Sequence, residues 1–539
     1  MADGGNGDGA ATAGKIDGVE LFEQVSEVLG QAQQMLTEFW VSESARAREQ
    51  AGGGKPEAGA LFGQWAAAWS DWAEAYAASD SARLAALAGD YWKDAAQLWT
   101  AVLEGRAAEI PAAAEVRDRR LAGDAWGAAP VYDLLRRSYL LTSHYLEKWP
   151  ETLDGISAGE RRKLAFDARQ LASAMSPANF AALNPEVLEE ARATNGESLL
   201  RGLSNLLADL KRGKLTMTDE EAFEIGVNVA STPGKVIFEG PLFQLIQYAP
   251  TTAEVFETPL LILPPWINKF YVLDLAPAKS LVRWAVAQGF TVYMVSWAQG
   301  STALADTGFR DYAIDGELKA IDLALAASNA KSLHVAGYCV AGTTLAATLA
   351  HMAATGQAEK VASATFLTSQ VDFAEAGDLL SFVRAPMLET IRKLMAEKGY
   401  LDGRWLASAF NFLRPADLLW HYVVNNYLKG KENAAFDLLY WNSDPTQVPG
   451  RFIEEYLTWL YRDNLLAEPG GVQIDGVAVD LRRVQTPCYI QAGRDDHIAP
   501  AASCFKLTRA FGGPHRFVLA GSGHIAGVVN PPAANKYQY

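Results

Sequence analysis

The stretch Ser332-Leu333-His334-Val335-Ala336-Gly337-Tyr338-Cys339-Val340-Ala341-Gly342 constrains the fold more than any other. Leu333 to Ala336 is a short apolar run that reads as a buried strand. Gly337 breaks it, and Thr343 to Met352 is rich in Ala and Leu and reads as a helix. A thiol therefore sits at a strand-to-helix turn with small residues two before and two after it, the nucleophile-elbow pattern with Cys in place of Ser. Gly337 and Ala341 leave room for the turn and the helix that follows. The amide of Val340 and the helix N-terminus point toward any oxyanion formed there, and the same dipole favours the thiolate. The plain alternative is a buried structural cysteine.

Downstream order decides between the two. After an expected strand over Pro487 to Gly493 comes Arg494-Asp495-Asp496-His497, and after one over Arg516 to Ala520 comes Gly521-Ser522-Gly523-His524. Nucleophile, acid and histidine follow in that order, each at the C-terminal end of a strand, where open α/β sheets gather their ligand and catalytic groups. The order is that of α/β-hydrolases. His524 is the expected general base and Asp496 the acid that orients it, with Asp495 as the alternative acid. His497 directly follows the acid, and neighbouring side chains of an extended segment point apart. His497 is therefore expected in a turn hydrogen bond or as a substrate contact. A second oxyanion donor belongs in the loop Pro264-Pro265-Trp266-Ile267-Asn268 after the strand Leu260 to Leu263. Both prolines lack an N–H, which leaves Trp266 or Ile267; Ile267 is taken as the donor and Trp266 as a substrate contact.

Around this centre the rhythm of the chain defines three parts. Residues 1–20 read as a disordered tail, with neither the basic nor the apolar region of a signal peptide. Residues 21–228 read as a helical N-terminal domain, from the helical spacing of Leu21, Val25, Val28, Ala32, Met35 and Phe39 and the repeat Trp65, Trp69, Trp72, Trp92, Trp99. These tryptophans are expected to face a core; the alternative is a sticky helical surface for a partner or an apolar product. Residues 229–539 alternate strands (Val236 to Phe238, Leu242 to Tyr248, Leu260 to Leu263, Thr291 to Val295, Ser363 to Leu367) with helices (Leu275 to Ala287, Gly316 to Ala327). That predicts an α/β-hydrolase fold, a mostly parallel sheet with helices on both faces. The alternation stops over about 372–446, where Trp405, Phe410, Phe412, Trp420, Tyr422 and Tyr427 cluster. This is expected to be a helical cap, acting as a mobile lid over Cys339 with Gly403 and Lys429-Gly430 as hinges.

Net charge is −16, which argues against a nucleic-acid binder. Three cysteines, Cys339, Cys488 and Cys504, are too few for a disulfide framework or zinc site and fit a reducing cytosol. No apolar run is long enough to span a membrane.

The chain resembles the bacterial polyhydroxyalkanoate synthases, which polymerise (R)-3-hydroxyacyl-CoA into storage polyester. The resemblance runs from about Asp118 to Lys536. It rests on Asp118-Arg119-Arg120 with Trp126, Ser176-Pro177-Ala178-Asn179-Phe180 with Asn184-Pro185-Glu186, and Gln247-Tyr248. It continues through Pro264 to Lys269, Gly337-Tyr338-Cys339, Tyr440-Trp441-Asn442-Ser443-Asp444, Asp496-His497-Ile498 and Gly523-His524-Ile525. It implies a single-polypeptide, class I-like acyltransferase with Cys339 as acyl-carrying nucleophile, His524 as base and Asp496 as third member. It further implies Arg414 near the CoA channel, CoA released as product with no cofactor or metal, a homodimer, and a cytoplasmic enzyme on polyester granules. Ala341-Gly342 stands where the family usually has Gly-Gly, Ala298-Gln299-Gly300 where an Asn-Pro often follows Ser-Trp, and the chain ends at Tyr539 where relatives commonly continue with a Trp-rich tail. Thiol-for-thiol exchange with CoA is nearly balanced, so Cys suits such a reaction better than Ser, and an aromatic cap keeps water from the acyl group. A hydrolase of the same fold (thioesterase, esterase or depolymerase) is the rival reading; a granule-coat scaffold explains the tryptophans and not the ordered triad.

Overall fold

The structure, a computed structural model, describes residues 80–104 and 118–536. The tail over residues 1–20, the helix from Leu21 and the Trp65, Trp69 and Trp72 repeat lie outside the described residues. The described residues form two compact units.

The larger unit comprises Lys148–Gln170, Met217–Leu418 and the chain from Asn433. Its centre is an eight-stranded sheet built from β1 (Gly234–Glu239), β2 (Phe243–Tyr248), β3 (Leu260–Leu263), β4 (Val292–Trp297), β5 (Leu333–Tyr338), β6 (Val361–Leu367), β7 (Cys488–Gly493) and β8 (His515–Ala520). The strand order is β1-β2-β4-β3-β5-β6-β7-β8. β2 is antiparallel to β1 and β4, and every other pairing is parallel. Successive residues of the central strands feed opposite faces: Leu261, Tyr293, Val295 and Val335 enter one core, Ile262, Val292 and Met294 the other. Burial on both faces is why these strands read as unbroken apolar runs.

Register brings the functional loops to one edge. Leu263 pairs with Gly337, Tyr338 with Leu367, Leu367 with Gln491 and Gly493 with Ala520. The chain therefore leaves β3, β5, β7 and β8 at the same level, and the segments holding Ile267, Cys339, Asp496 and His524 emerge side by side.

Two expectations for the chain after residue 228 need correction. The helix expected over Leu275 to Ala287 begins only at Leu281. Pro277 bars Ala276 from helical geometry and leaves a 3₁₀ turn over Pro277–Lys279. Ser280 then caps the helix, its Oγ accepting from Arg283 N at 2.8 Å. The second correction concerns the cap, which is not one body. Gly377–Phe382, Ala385–Met395, Gly403–Leu413 and Asp437–Asn442 are helical and belong to the sheet unit. There Phe382 meets Phe166 edge-on (centroids 5.4 Å apart), Asp378 pairs with Arg169 at 2.7 Å, and Gln170 donates to Phe412 O at 2.7 Å. Leu419–Glu432, with Trp420, Tyr422 and Tyr427, belongs to the other unit.

That smaller unit comprises the described residues up to Glu147, Leu171–Thr216 and Leu419–Glu432. Helix Glu197–Arg212 receives Leu419–Glu432 so closely that a Cβ at Gly202 would stand 2.0 Å from Tyr427 O. Asn426 donates to Thr216 O and Tyr427 to Asp209, each at 2.7 Å, and Lys429 pairs with Glu186. The Asp118-Arg119-Arg120 motif is structural: Arg120 pairs with Asp118 at 2.6 Å, donates to Asn179 at 2.7 Å, and its carbonyl accepts from the buried Trp126 at 3.1 Å. Asn184 caps helix Pro185–Ala193. Trp92 and Trp99 are exposed on helix Ser81–Leu103, so neither is the core residue expected. Among the described residues no helix is long and apolar enough to cross a membrane.

Candidate active site

Cys339 joins β5 to helix Val340–Ala354 with φ 55° and ψ −125°, a conformation that costs a non-glycine residue roughly 1–3 kcal/mol. Its amide donates to Leu367 O at 2.9 Å, fixing the turn to β6. The crowded position after the thiol is Gly342, not Ala341: a Cβ at Gly342 would lie 2.0 Å from Ser369 Oγ, and one at Gly337 would lie 2.7 Å from Gly342 Cα. The Ala341 methyl is accommodated in the core, so the Ala-for-Gly departure leaves the turn intact.

His524 Nδ1 stands 2.7 Å from Asp496 Oδ2, and both residues are buried. Asp496 Oδ1 accepts from the amides of Ile498 and Ala499 at 2.8 and 2.9 Å. Asp495, the alternative acid, is exposed, and its carboxylate faces Arg494 at 3.4 Å. Burial opposes a charge on His524, but the charges of Asp496 and Cys339 and hydrogen bonds to both outweigh it and hold the imidazole well above its usual range. Burial pushes Cys488 up to about 12 and Cys504 well above the usual thiol range, which keeps both as inert thiols.

His497 is half-buried, and its Nδ1 has no hydrogen-bond partner among the described residues. Burial and the neighbouring Arg414 charge push its ring down to about 4, so it is neutral near pH 7. The turn hydrogen bond expected of it is not made through Nδ1. Arg414 is exposed on the cap and reaches the carbonyl of Asp495 at 3.4 Å, beside the acid loop.

The loop after β3 is stitched to the end of the cap. Ile267 O accepts from Thr446 N at 2.9 Å, Trp441 Nε1 donates to Lys269 O at 2.7 Å, and Tyr271 donates to Asp444 Oδ2 at 3.0 Å. The Tyr440 to Asp444 motif thus positions the segment that carries Ile267. Trp266 is packed in the aromatic core, with its ring centroid 4.6 Å from that of Phe452 and 4.9 Å from that of Tyr456. It is 1% exposed, so the expectation of Trp266 as a substrate contact is corrected: its ring faces the core.

Three groups near the thiol went unnoticed in the sequence. Tyr338 donates from its hydroxyl to His524 O at 3.2 Å and stacks on the imidazole. Tyr456 lies within electrostatic reach of Cys339, and Tyr461 within reach of Cys339 and Asp496. A tyrosine directly before the nucleophile was the available signal for Tyr338; nothing local marked the other two. Among the described residues no His, Cys, Asp and Glu group is arranged to hold a metal ion.

Fold and site together define an α/β-hydrolase-fold protein with cysteine at the elbow. Residues 117–285 match the family described as poly-beta-hydroxybutyrate polymerase (PhaC) N-terminus, and residues 285–531 match the alpha/beta hydrolase fold. A poly(3-hydroxyalkanoate) polymerase of Methylorubrum extorquens is 48% identical over 444 residues, 81% of this chain and 73% of its own. Polymerase subunits of Rhizobium meliloti and Cupriavidus necator are 45% and 44% identical, over 82% and 83% of this chain and 73% and 76% of theirs. The chain belongs to the poly(3-hydroxyalkanoate) polymerase family, a family of acyltransferases.

Proposed function

We propose that this enzyme polymerises (R)-3-hydroxyacyl-CoA, 3-hydroxybutyryl-CoA first among them, into polyhydroxyalkanoate with release of CoA. The observation that carries the reading is the elbow thiol beside the buried His524–Asp496 pair at 2.7 Å. The Cys339 thiolate attacks the thioester carbonyl. The oxyanion is received by the amides of Val340 and Ile267, and collapse expels the CoA thiolate, which takes a proton from His524. An enzyme thioester results. His524, now neutral, accepts the proton of a chain-end or monomer hydroxyl as that oxygen attacks the acyl carbon. An ester bond forms, the Cys339 thiolate leaves, and the imidazolium–thiolate pair is restored. Asp496 holds the imidazole in one orientation and stabilises its charged form. No cofactor or metal is consumed. His497 and Arg414 would face the CoA ester at the acid loop. The working form is a homodimer on the surface of cytoplasmic polyester granules, where the product accumulates.

Incubation with (R)-3-hydroxybutyryl-CoA tests the proposal. Free CoA with insoluble polymer supports it, and Cys339→Ala should abolish both. CoA with free 3-hydroxybutyrate would make the protein a thioesterase, and no CoA at all would reduce it to a scaffold. More than a few per cent activity in Cys339→Ala would remove the nucleophile assignment.

A further inference from the structure

Beneath the elbow helix lies a carboxyl group that the reaction above does not use. Glu317 is the penultimate residue of the wide-turned π-helical segment Tyr312–Leu318 and is completely buried. Its Oε1 is 2.5 Å from Thr344 Oγ1 and its Oε2 is 2.7 Å from Thr348 Oγ1, both on helix Val340–Ala354. Thr344 Oγ1 also stands 3.0 Å from Ala341 O, and Thr348 Oγ1 3.0 Å from Thr344 O.

The hydroxyl hydrogens can serve either form, and it is complete burial without a cationic partner among the described residues that favours the neutral acid. Each threonine hydroxyl has one hydrogen. If Glu317 is ionised, both hydrogens go to the carboxylate and the two helix carbonyls lose these partners. If Glu317 is protonated, its O–H donates to one threonine, which turns its own hydrogen to the helix carbonyl, while the other threonine donates to the remaining carboxyl oxygen. No basic side chain is hydrogen-bonded or ion-paired to Glu317 among the described residues. The Tyr456 hydroxyl feels its charge, and Tyr456 also feels Cys339. Burial pushes the carboxyl up to about 8.

Position gives that proton a consequence. Thr344 is five residues into the helix whose N-terminus carries Cys339, about 7–8 Å along the axis at 1.5 Å per residue. A negative charge there opposes the positive end of the helix dipole that favours both the thiolate and the oxyanion at Val340.

We propose that Glu317 is a positioning residue for the Cys339 elbow: as a neutral acid it locks the elbow helix through Thr344 and Thr348, and its ionisation weakens the Cys339 thiolate. This rests on the reading of Cys339 as the nucleophile, so the test measures the thiol itself. The rate of Cys339 alkylation by iodoacetamide is followed by mass spectrometry of its peptide, for wild type and Glu317→Gln, from pH 6.5 to 9.5. Glutamine keeps a donor and an acceptor and cannot ionise. The ratio of variant to wild-type rate is expected to be about one at pH 6.5 and to rise as Glu317 ionises, by up to about tenfold while the thiol is still partly protonated, the size expected of one charge at this distance in a partly screened interior. Taking a ratio cancels the pH dependence common to both proteins. A ratio that stays flat across the range overturns the proposal, whether or not the protein makes polymer. Should Glu317→Gln not fold, wild type answers alone by infrared spectroscopy. A protonated-carboxyl band present at pH 6.5 and lost by pH 9.5 supports the proposal, and no such band at pH 6.5 overturns it.

Discussion

Asp496 grips His524 with one carboxylate oxygen and is itself gripped by the other: Oδ2 is 2.7 Å from His524 Nδ1, while Oδ1 accepts from the amides of Ile498 and Ala499. A carboxylate so held cannot rotate away, so Nδ1 carries the hydrogen and Nε2 is left for the thiol and the substrate. Asp496→Asn would present an amide that competes for the wrong tautomer. Loss of a general base typically costs about 10²–10⁴-fold. His524→Gln is expected to fall in that range or lower, and Asp496→Asn in the same range with an unchanged fold. The measurement is CoA release under saturating substrate, with circular dichroism to check folding. Near-normal turnover in Asp496→Asn would contradict the orienting role.

His497 should behave differently. His497→Gln is expected to keep the enzyme-thioester step and lose mainly efficiency, as a rapid-quench burst of CoA would show. Its ring is held down to about 4 in the folded state against an ordinary value of 6.5. A depressed histidine contributes stability that is present above 6.5 and lost as pH falls toward 4, because only the unfolded chain takes up the proton in that window. His497→Gln should therefore lose less melting temperature than wild type between pH 6.5 and 4. A steeper acid loss in the variant would contradict the assignment.

Arg414 supplies positive charge beside the acid loop of an acidic protein whose proposed substrate is highly anionic. Arg414→Ala should raise KM for the CoA ester several-fold with a smaller effect on kcat, the signature of lost uniform binding. Raised ionic strength should shrink the difference between variant and wild type. An unchanged KM takes Arg414 out of the site.

The insertion over 372–446 is expected to move, because a bulky CoA ester must enter and a polymer leave a site that stays dry between those events. Its division between two units sharpens the expectation. Hydrogen exchange over 377–413 should slow when a non-hydrolysable acyl-CoA analogue binds, while Leu419–Glu432, tied to the Glu197–Arg212 helix, should change little. High and identical protection of both segments with and without the analogue would leave the lid idea unsupported. Gly403 makes a poor hinge, since a Cβ there would stand 2.6 Å from Thr446 O; its glycine serves close packing.

The sequence by itself determined the strands, the elbow at Cys339 and the chain order of thiol, acid and histidine, because apolar runs and turn residues are written in consecutive positions. Only the tertiary structure decided between Asp495 and Asp496, because the choice depends on amides two and three residues further on and on a histidine 28 residues away. It also turned Trp266 into a core residue, since Phe452 and Tyr456, which enclose it, come from beyond the cap. Likewise it drew Leu419–Glu432 to the helical unit, where Gly202 leaves room for a backbone that local pattern cannot foresee. Glu317 is the extreme case. In the chain it is one acidic residue on a helical stretch; what makes it a neutral acid is complete burial, and what holds it in place is a pair of threonine hydroxyls 27 and 31 residues away, on the helix that carries the thiol.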